Sequence, residues 1–140
     1  MHICYIIYNI DMATRSYTNI SQSFSLSFIY SNVRSVCNKI DEFSSTVNVI
    51  NPDIFCLSET WLSSDHSNGF LNLSNYNIFR KDRGSKGGGV LIGTHRRLEV
   101  KPVNYQGDSE IIAVYLFSNK KKSLRILTIY NPNLKYSKKI

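Results

Sequence analysis

The chain has 140 residues, 42% of them hydrophobic and 19% charged, which suits a packed core and is too apolar for a disordered chain. Seventeen Lys and Arg against ten Asp and Glu leave a formal charge of +7, pointing to a polyanionic partner, with nucleic acid the first choice. No run approaches the ~18 apolar residues of a membrane span, and the three widely spaced cysteines (Cys4, Cys37, Cys56) support neither a zinc site nor a disulfide framework.

The opening His2-Ile3-Cys4-Tyr5-Ile6-Ile7-Tyr8 is apolar but short, with no basic start and no small-residue cleavage pattern, so a reduced, intracellular protein is expected. Residues 1–25 are rich in Ser, Asn and Tyr without a clean period. They read as a leader of unclear origin, with a strand allowed at 3–8. A strand signal follows at 26–30. Val36, Ile40, Phe43, Val47 and Ile50 then recur at helical steps, forming one apolar stripe on an amphipathic helix. Pro52 ends that helix. The continuous apolar run Ile54-Phe55-Cys56-Leu57 suits a strand covered on both faces. This strand–helix–strand order implies two parallel neighbours in an α/β sheet.

The second half predicts strands at 76–79, 89–92, 98–101, 111–117 and 124–130, with short loops that imply antiparallel pairing. The last two are expected to form a hairpin around a basic six-residue loop, 118–123. The fold class is therefore α/β (α+β) with mixed sheets and few helices.

Several residues could carry chemistry. Asn32 directly follows the first of the two parallel strands and Glu59 follows the second, so both emerge at the carboxyl edge of the sheet, where α/β sites lie. A carboxylate and a carboxamide there suit a hard cation such as Mg²⁺, which takes few protein carboxylates and keeps its waters. On spacing alone the plainer readings stand ahead, with Asn32 as a helix cap and Glu59 as a solvated loop residue. Tyr130 ends the last strand and could donate a hydrogen bond to a phosphate; Tyr130-Asn131-Pro132 also reads simply as a turn. The densest signal is Arg80-Lys81-Asp82-Arg83-Gly84-Ser85-Lys86-Gly87-Gly88-Gly89. It is no Walker loop. Its glycines could admit a nucleic-acid backbone, with Arg80, Arg83 and Lys86 on phosphates, or could simply shape a solvated basic hairpin. His2, His66 and His95 share no spacing with an acid. Trp61 is expected to pack beside the Glu59 loop, and the late acids Asp108 and Glu110 fit no catalytic pattern.

The order of these blocks resembles the endonuclease domain of non-LTR (LINE-type) retrotransposons, closest in style to the jockey and chicken-repeat branches. The blocks are Asn32-Val33-Arg34-Ser35 with Asn38-Lys39-Ile40-Asp41-Glu42; Asn51-Pro52-Asp53-Ile54-Phe55-Cys56-Leu57-Ser58-Glu59-Thr60-Trp61-Leu62; Tyr76 to Arg83 with Lys86 to Ile92; and Tyr130-Asn131-Pro132. The resemblance implies the endonuclease/exonuclease/phosphatase superfamily and its four-layer α/β sandwich of two mixed sheets, with 26–140 as the N-terminal portion of such a domain. It further implies DNA as partner, Mg²⁺ or Mn²⁺ as cofactor, nuclear action and a downstream reverse-transcriptase region in the full-length relative. By motif, Asn32 would orient the scissile phosphate or a metal water, Glu59 would bind the metal, Tyr130 would contact the phosphate, and Asn133 would touch the DNA backbone. The family's water-aligning Gly-Asp-Phe-Asn-like and His-bearing Ser-Asp-His-like blocks have no counterpart in this sequence, so the chain is expected to be inactive alone. Two other readings remain at this point: another phosphodiesterase or phosphatase of the superfamily, and a basic nucleic-acid-binding remnant without catalysis.

Overall fold

A computed structural model describes residues 6–14, 22–84, 86–118 and 120–132. Two sheets and one α-helix account for most of them. Strands β1 (Ile6–Thr14), β2 (Gln22–Asn32), β3 (Ile54–Ser58), β4 (Tyr76–Lys81) and β5 (Val90–His95) form a five-stranded sheet in the order β1-β2-β3-β5-β4. Strands β6 (Val100–Val103), β7 (Glu110–Ser118) and β8 (Lys121–Tyr130) form a three-stranded antiparallel sheet. The mixed α/β class is as the sequence indicates.

The parallel pair is β2 and β3, in register from Phe28↔Ile54 to Asn32↔Ser58, with the helix α1 (Ile40–Ile50) in the crossover. All five residues of β3 are buried, because β3 lies between two layers. Phe55 and Leu57 face the helix side with Ile29, Phe43, Val47 and Leu91. Ile54 and Cys56 face the second sheet with Val90, Ile92, Ile112, Val114 and Ile126. The three layers seen among the described residues are thus helix, five-stranded sheet and three-stranded sheet. Gly93 sits opposite Phe55 in the β3–β5 pair, where a Cβ would lie 2.1 Å from the ring, so only glycine lets this phenylalanine pack across its neighbour.

Three expectations need correction. The residues read as a leader contain β1 and the start of β2, paired antiparallel from Ile6↔Tyr30 to Thr14↔Gln22. The apolar stripe overran the helix: α1 starts at Ile40, and Val36 is buried in the preceding loop instead. The chain there folds back over the sheet edge, with the Lys39 ammonium donating to the carbonyls of Val33 (2.5 Å) and Arg34 (3.2 Å). At the other end Asn51 takes the left-handed conformation and its N–H closes on the Val47 carbonyl (2.7 Å), just before Pro52. The basic tip between β7 and β8 is tighter than the six-residue loop expected, since Ser118 pairs with Lys121 and Phe117 with Lys122 after a bulge.

Candidate active site

The register Asn32↔Ser58 brings the carboxyl ends of β2 and β3 side by side, so Asn32 and Glu59 leave the sheet at one edge. The Asn32 amide donates from Nδ2 to Glu59 Oε1 at 3.1 Å. Asn32 does not cap the helix, which begins eight residues later with Lys39 at the cap position. The Tyr130 hydroxyl, arriving from the end of β8, hydrogen-bonds the same Glu59 carboxylate. That bond, partial burial and the nearby Glu59 charge push the Tyr130 pKa up, against the pull of Arg83, so the hydroxyl stays protonated and remains a donor.

The backbone around Glu59 is held in an unusual shape. Arg34, Ser35, Glu59 and Trp61 all have positive φ (43°, 76°, 54° and 56°), a region that few non-glycine residues occupy. Cross-loop hydrogen bonds impose it. Ser35 N–H donates to the Glu59 carbonyl (2.8 Å), Val36 N–H to the Thr60 carbonyl (3.0 Å) and Trp61 N–H to the Gly88 carbonyl (2.9 Å). Glu59 is therefore presented on a braced loop, tied on one side to the Arg34–Ser35 turn and on the other to the glycine-rich segment.

Within the glycine-rich segment, Gly88 and Gly89 serve the packing of the protein itself. Arg83 makes a two-pronged ion pair with Glu110, Nε to Oε1 at 3.1 Å and Nη2 to Oε2 at 2.9 Å, and Glu110 Oε1 also accepts the Gly89 N–H at 2.6 Å. Gly88 lies against this pair with φ +64°; a Cβ there would sit 2.3 Å from both Arg83 Nε and Glu110 Oε1. A Cβ on Gly89 (φ +90°) would sit 2.5 Å from Thr60 Oγ1. The two glycines are thus required by the protein's own packing. The Glu110 hydrogen bond raises the Arg83 pKa, keeping the guanidinium cationic, and Arg83 lies 5.4 Å from the Tyr130 ring centroid.

The other candidates fall in different places. Arg80 is largely buried: Nη2 donates to the Ser63 carbonyl (2.9 Å) and the His66 carbonyl and pairs with Asp82 at 3.1 Å, so it pins the Ser63–His66 loop to β4. Lys86 is exposed, one residue before Gly87. Asn133 lies outside the described residues. Trp61 lies in the Glu59 loop beside Gly87 and is 46% exposed. Glu110 is the residue sequence reasoning missed. It shares its strand face with Ile112, Val114 and Leu116, and a carboxylate on a strand's apolar face needs a buried cationic partner. A groove of about 580 Å³ opens beside the cluster, lined by Arg83, Glu110, Tyr130, Asn131 and Pro132 among others.

The sequence model of the Endonuclease/Exonuclease/phosphatase family matches residues 8–127. The chain belongs to this family. A comparison with curated proteins finds no match. Members of the family generally use divalent metals, and the donor set here can be tested against one. No group of three His, Cys, Asp or Glu side chains clusters among the described residues. A hard cation that keeps most of its waters needs less than that. The Glu59 carboxylate is steadied by two hydrogen-bond donors, and Asn32 spends its Nδ2 on Glu59, which leaves Oδ1 as a second hard oxygen at the same edge. This all-oxygen donor set suits a hard divalent cation and does not suit a soft metal. Membership in this family implies phosphodiesterase- or nuclease-type chemistry.

Proposed function

We propose that this chain carries the metal- and phosphate-gripping part of a Mg²⁺-dependent DNA endonuclease of the kind that nicks target sites for non-LTR retrotransposons. The observation that carries the reading is the convergence of Asn32, Glu59 and Tyr130 at the carboxyl edge of β2 and β3, with a fixed cation, Arg83, beside them. Glu59 and the Asn32 amide oxygen would hold the metal, with Mn²⁺ as a substitute; when bound, it offsets the negative charge that builds on the phosphoryl oxygens. The Tyr130 hydroxyl, kept protonated, donates a hydrogen bond to a phosphate oxygen. Arg83, held in place by Glu110, adds a positive charge that needs no reorganisation when the phosphate arrives. Lys86 adds a contact to the DNA backbone, while Arg80 contributes through the loop it pins. A net charge of +7 favours the polymer over a small phosphate ester.

Hydrolysis also needs a group to align the attacking water. Among the described residues the acids at the site and its groove are Glu59, Glu110 and Asp108; Glu110 is occupied by Arg83 and Gly89, and Asp108 is an exposed residue on the groove wall rather than part of the Asn32–Glu59–Tyr130 cluster. This favours a chain that grips DNA without cutting it by itself. Within the full-length relative it would work beside a downstream reverse-transcriptase region, in the nucleus. The test uses supercoiled plasmid with Mg²⁺, together with fluorescence anisotropy of a labelled duplex with and without Mg²⁺. The expected result is no nicking, and duplex binding that Mg²⁺ strengthens in the wild type but not in Glu59→Gln. Nicking abolished by Glu59→Gln would refute the inactive reading and keep the endonuclease one. Binding indifferent to both Mg²⁺ and Glu59 would leave only a basic nucleic-acid-binding module, and cleavage of small phosphate esters instead would assign the chain to the family's phosphatase side.

A further inference from the structure

Trp61 is the least expected residue at the site. It lies two positions after Glu59, it is 46% exposed, and it has φ +56°. A bulky aromatic residue in the left-handed region is an outlier, held only where surrounding structure over-determines it. Two contacts fix its main chain: its N–H donates to the Gly88 carbonyl at 2.9 Å, and its carbonyl accepts from Cys37 Sγ at 3.9 Å. The indole Nε1 stands over Gly87, 3.9 Å from where a Cβ on that glycine would lie, and Arg83 Nη1 is 3.5 Å from the same point. The ring therefore lies against the glycine-rich segment on the Glu59 side, near the Arg83 guanidinium, with about half of its surface open to water. An aromatic side chain left half open to water in a strained backbone conformation does not serve the fold's own packing.

We propose that Trp61 is a base-stacking residue: it receives the face of an unpaired or unstacked nucleobase next to the phosphate contacted by Tyr130 and Arg83. The inference rests on the nucleic-acid reading above and deepens it by naming what the site takes besides phosphate. An exposed indole flanked by a fixed guanidinium is the pairing that holds single-stranded nucleic acid, because every base presents a π-face and every nucleotide a charge. The phosphate contacts set affinity without regard to bases; Trp61 makes the site distinguish a base-bearing polymer from a bare polyanion.

Trp61 is the only tryptophan in the chain, so its emission reports on this one position. The experiment titrates the 140-residue chain in EDTA with an unlabelled strand of ten thymidines, and separately with inorganic polyphosphate, while following tryptophan fluorescence. Binding is measured in parallel by anisotropy of a fluorescein-labelled copy of the strand. The expected result is quenching by the strand but not by polyphosphate. Trp61→Ala should weaken strand binding about tenfold or more with an unchanged salt slope, whereas Trp61→Phe should stay within about threefold of wild type. Strand binding without quenching overturns the stacking role and leaves the nucleic-acid reading intact. No strand binding at all overturns both. A Trp61→Ala variant that melts with the wild type yet binds the strand equally well also overturns the proposal, and the wild-type quenching experiment decides the matter if that variant fails to fold.

Discussion

Glu110 shows how much of this site is decided by single side chains. Its carboxylate is buried and satisfies three donors: two on Arg83 and the Gly89 N–H. Replacing it with Ala would leave the Gly89 N–H without its partner and release Arg83. The loss of a charge-assisted bond to a buried backbone donor costs about 2 kcal/mol. Glu110→Ala is therefore expected to lower urea-unfolding stability by about that amount and to weaken duplex binding, because Arg83 no longer holds its position under Tyr130. A variant with full stability would show that the pair is ornamental. The glycines report the same constraint from the other side, since Gly88 has no room for a Cβ next to that ion pair. Arg80 and Arg83 were indistinguishable as cations in a basic run. Only the fold separates the one spent on the Ser63 and His66 carbonyls from the one presented at the site.

At the scale of elements, Asp53 does for the far end of the sheet what the braced loops do for the site. Its Oδ2 accepts from Ser27 N–H (2.7 Å) and Ser27 Oγ (2.9 Å), joining the middle of β2 to the start of β3, while Oδ1 takes the Arg97 guanidinium (Nε at 3.1 Å) from the turn after β5. Burial alone would push the Asp53 carboxyl up; the Ser27 and Arg97 bonds outweigh it and hold the pKa below the usual carboxylate value. Between the lowered folded pKa and the unfolded value of about 3.9, the unfolded chain binds more protons, so stability rises with pH across that window. The contribution is complete above about pH 4 and is lost as pH falls through the folded pKa. Asp53→Asn should melt at lower temperature at neutral pH and lose this part of the acid slope; an unchanged acid slope would show that Asp53 is not the group responsible.

The same element scale explains what the sequence could and could not reveal. The β2–α1–β3 crossover was legible because each piece carries its own period and Pro52 marks the boundary. Asn32 and Glu59 were legible as neighbours because the parallel reading put them at one edge. The β1–β2 hairpin was not, because residues 6–14 have neither clean alternation nor a turn signal such as Asn-Gly, and their pairing is settled by the partner strand. Glu110 and the exposure of Trp61 were hidden for a different reason: both depend on loops that meet only in three dimensions.

For the molecule as a whole, the two faces of the three-stranded sheet have unlike fates. Ile112, Val114, Leu116 and Ile126 are buried against the five-stranded sheet. On the opposite face, Leu127 and Ile129 are 42% and 51% exposed, next to Ala113 and Ile111 by register, and no helix covers them among the described residues. Further along the same face Lys101 lies over Phe117 (5.3 Å) and Lys122 over Tyr115 (4.3 Å), with Arg125 paired across from Tyr115, so the face is basic at one end and apolar at the other. An exposed apolar strip on a sheet favours self-association, which the net charge of +7 opposes by mutual repulsion. Salt screens that repulsion and leaves the strip untouched. The chain is therefore expected to scatter light increasingly as ionic strength rises. The double variant Leu127→Lys, Ile129→Lys should suppress this while shifting stability by only about 1 kcal/mol, because both side chains are already about half in water. Static light scattering across a salt series, with thermal melting alongside, measures both effects. Scattering that is equal in the two proteins would move the cause of association to another surface.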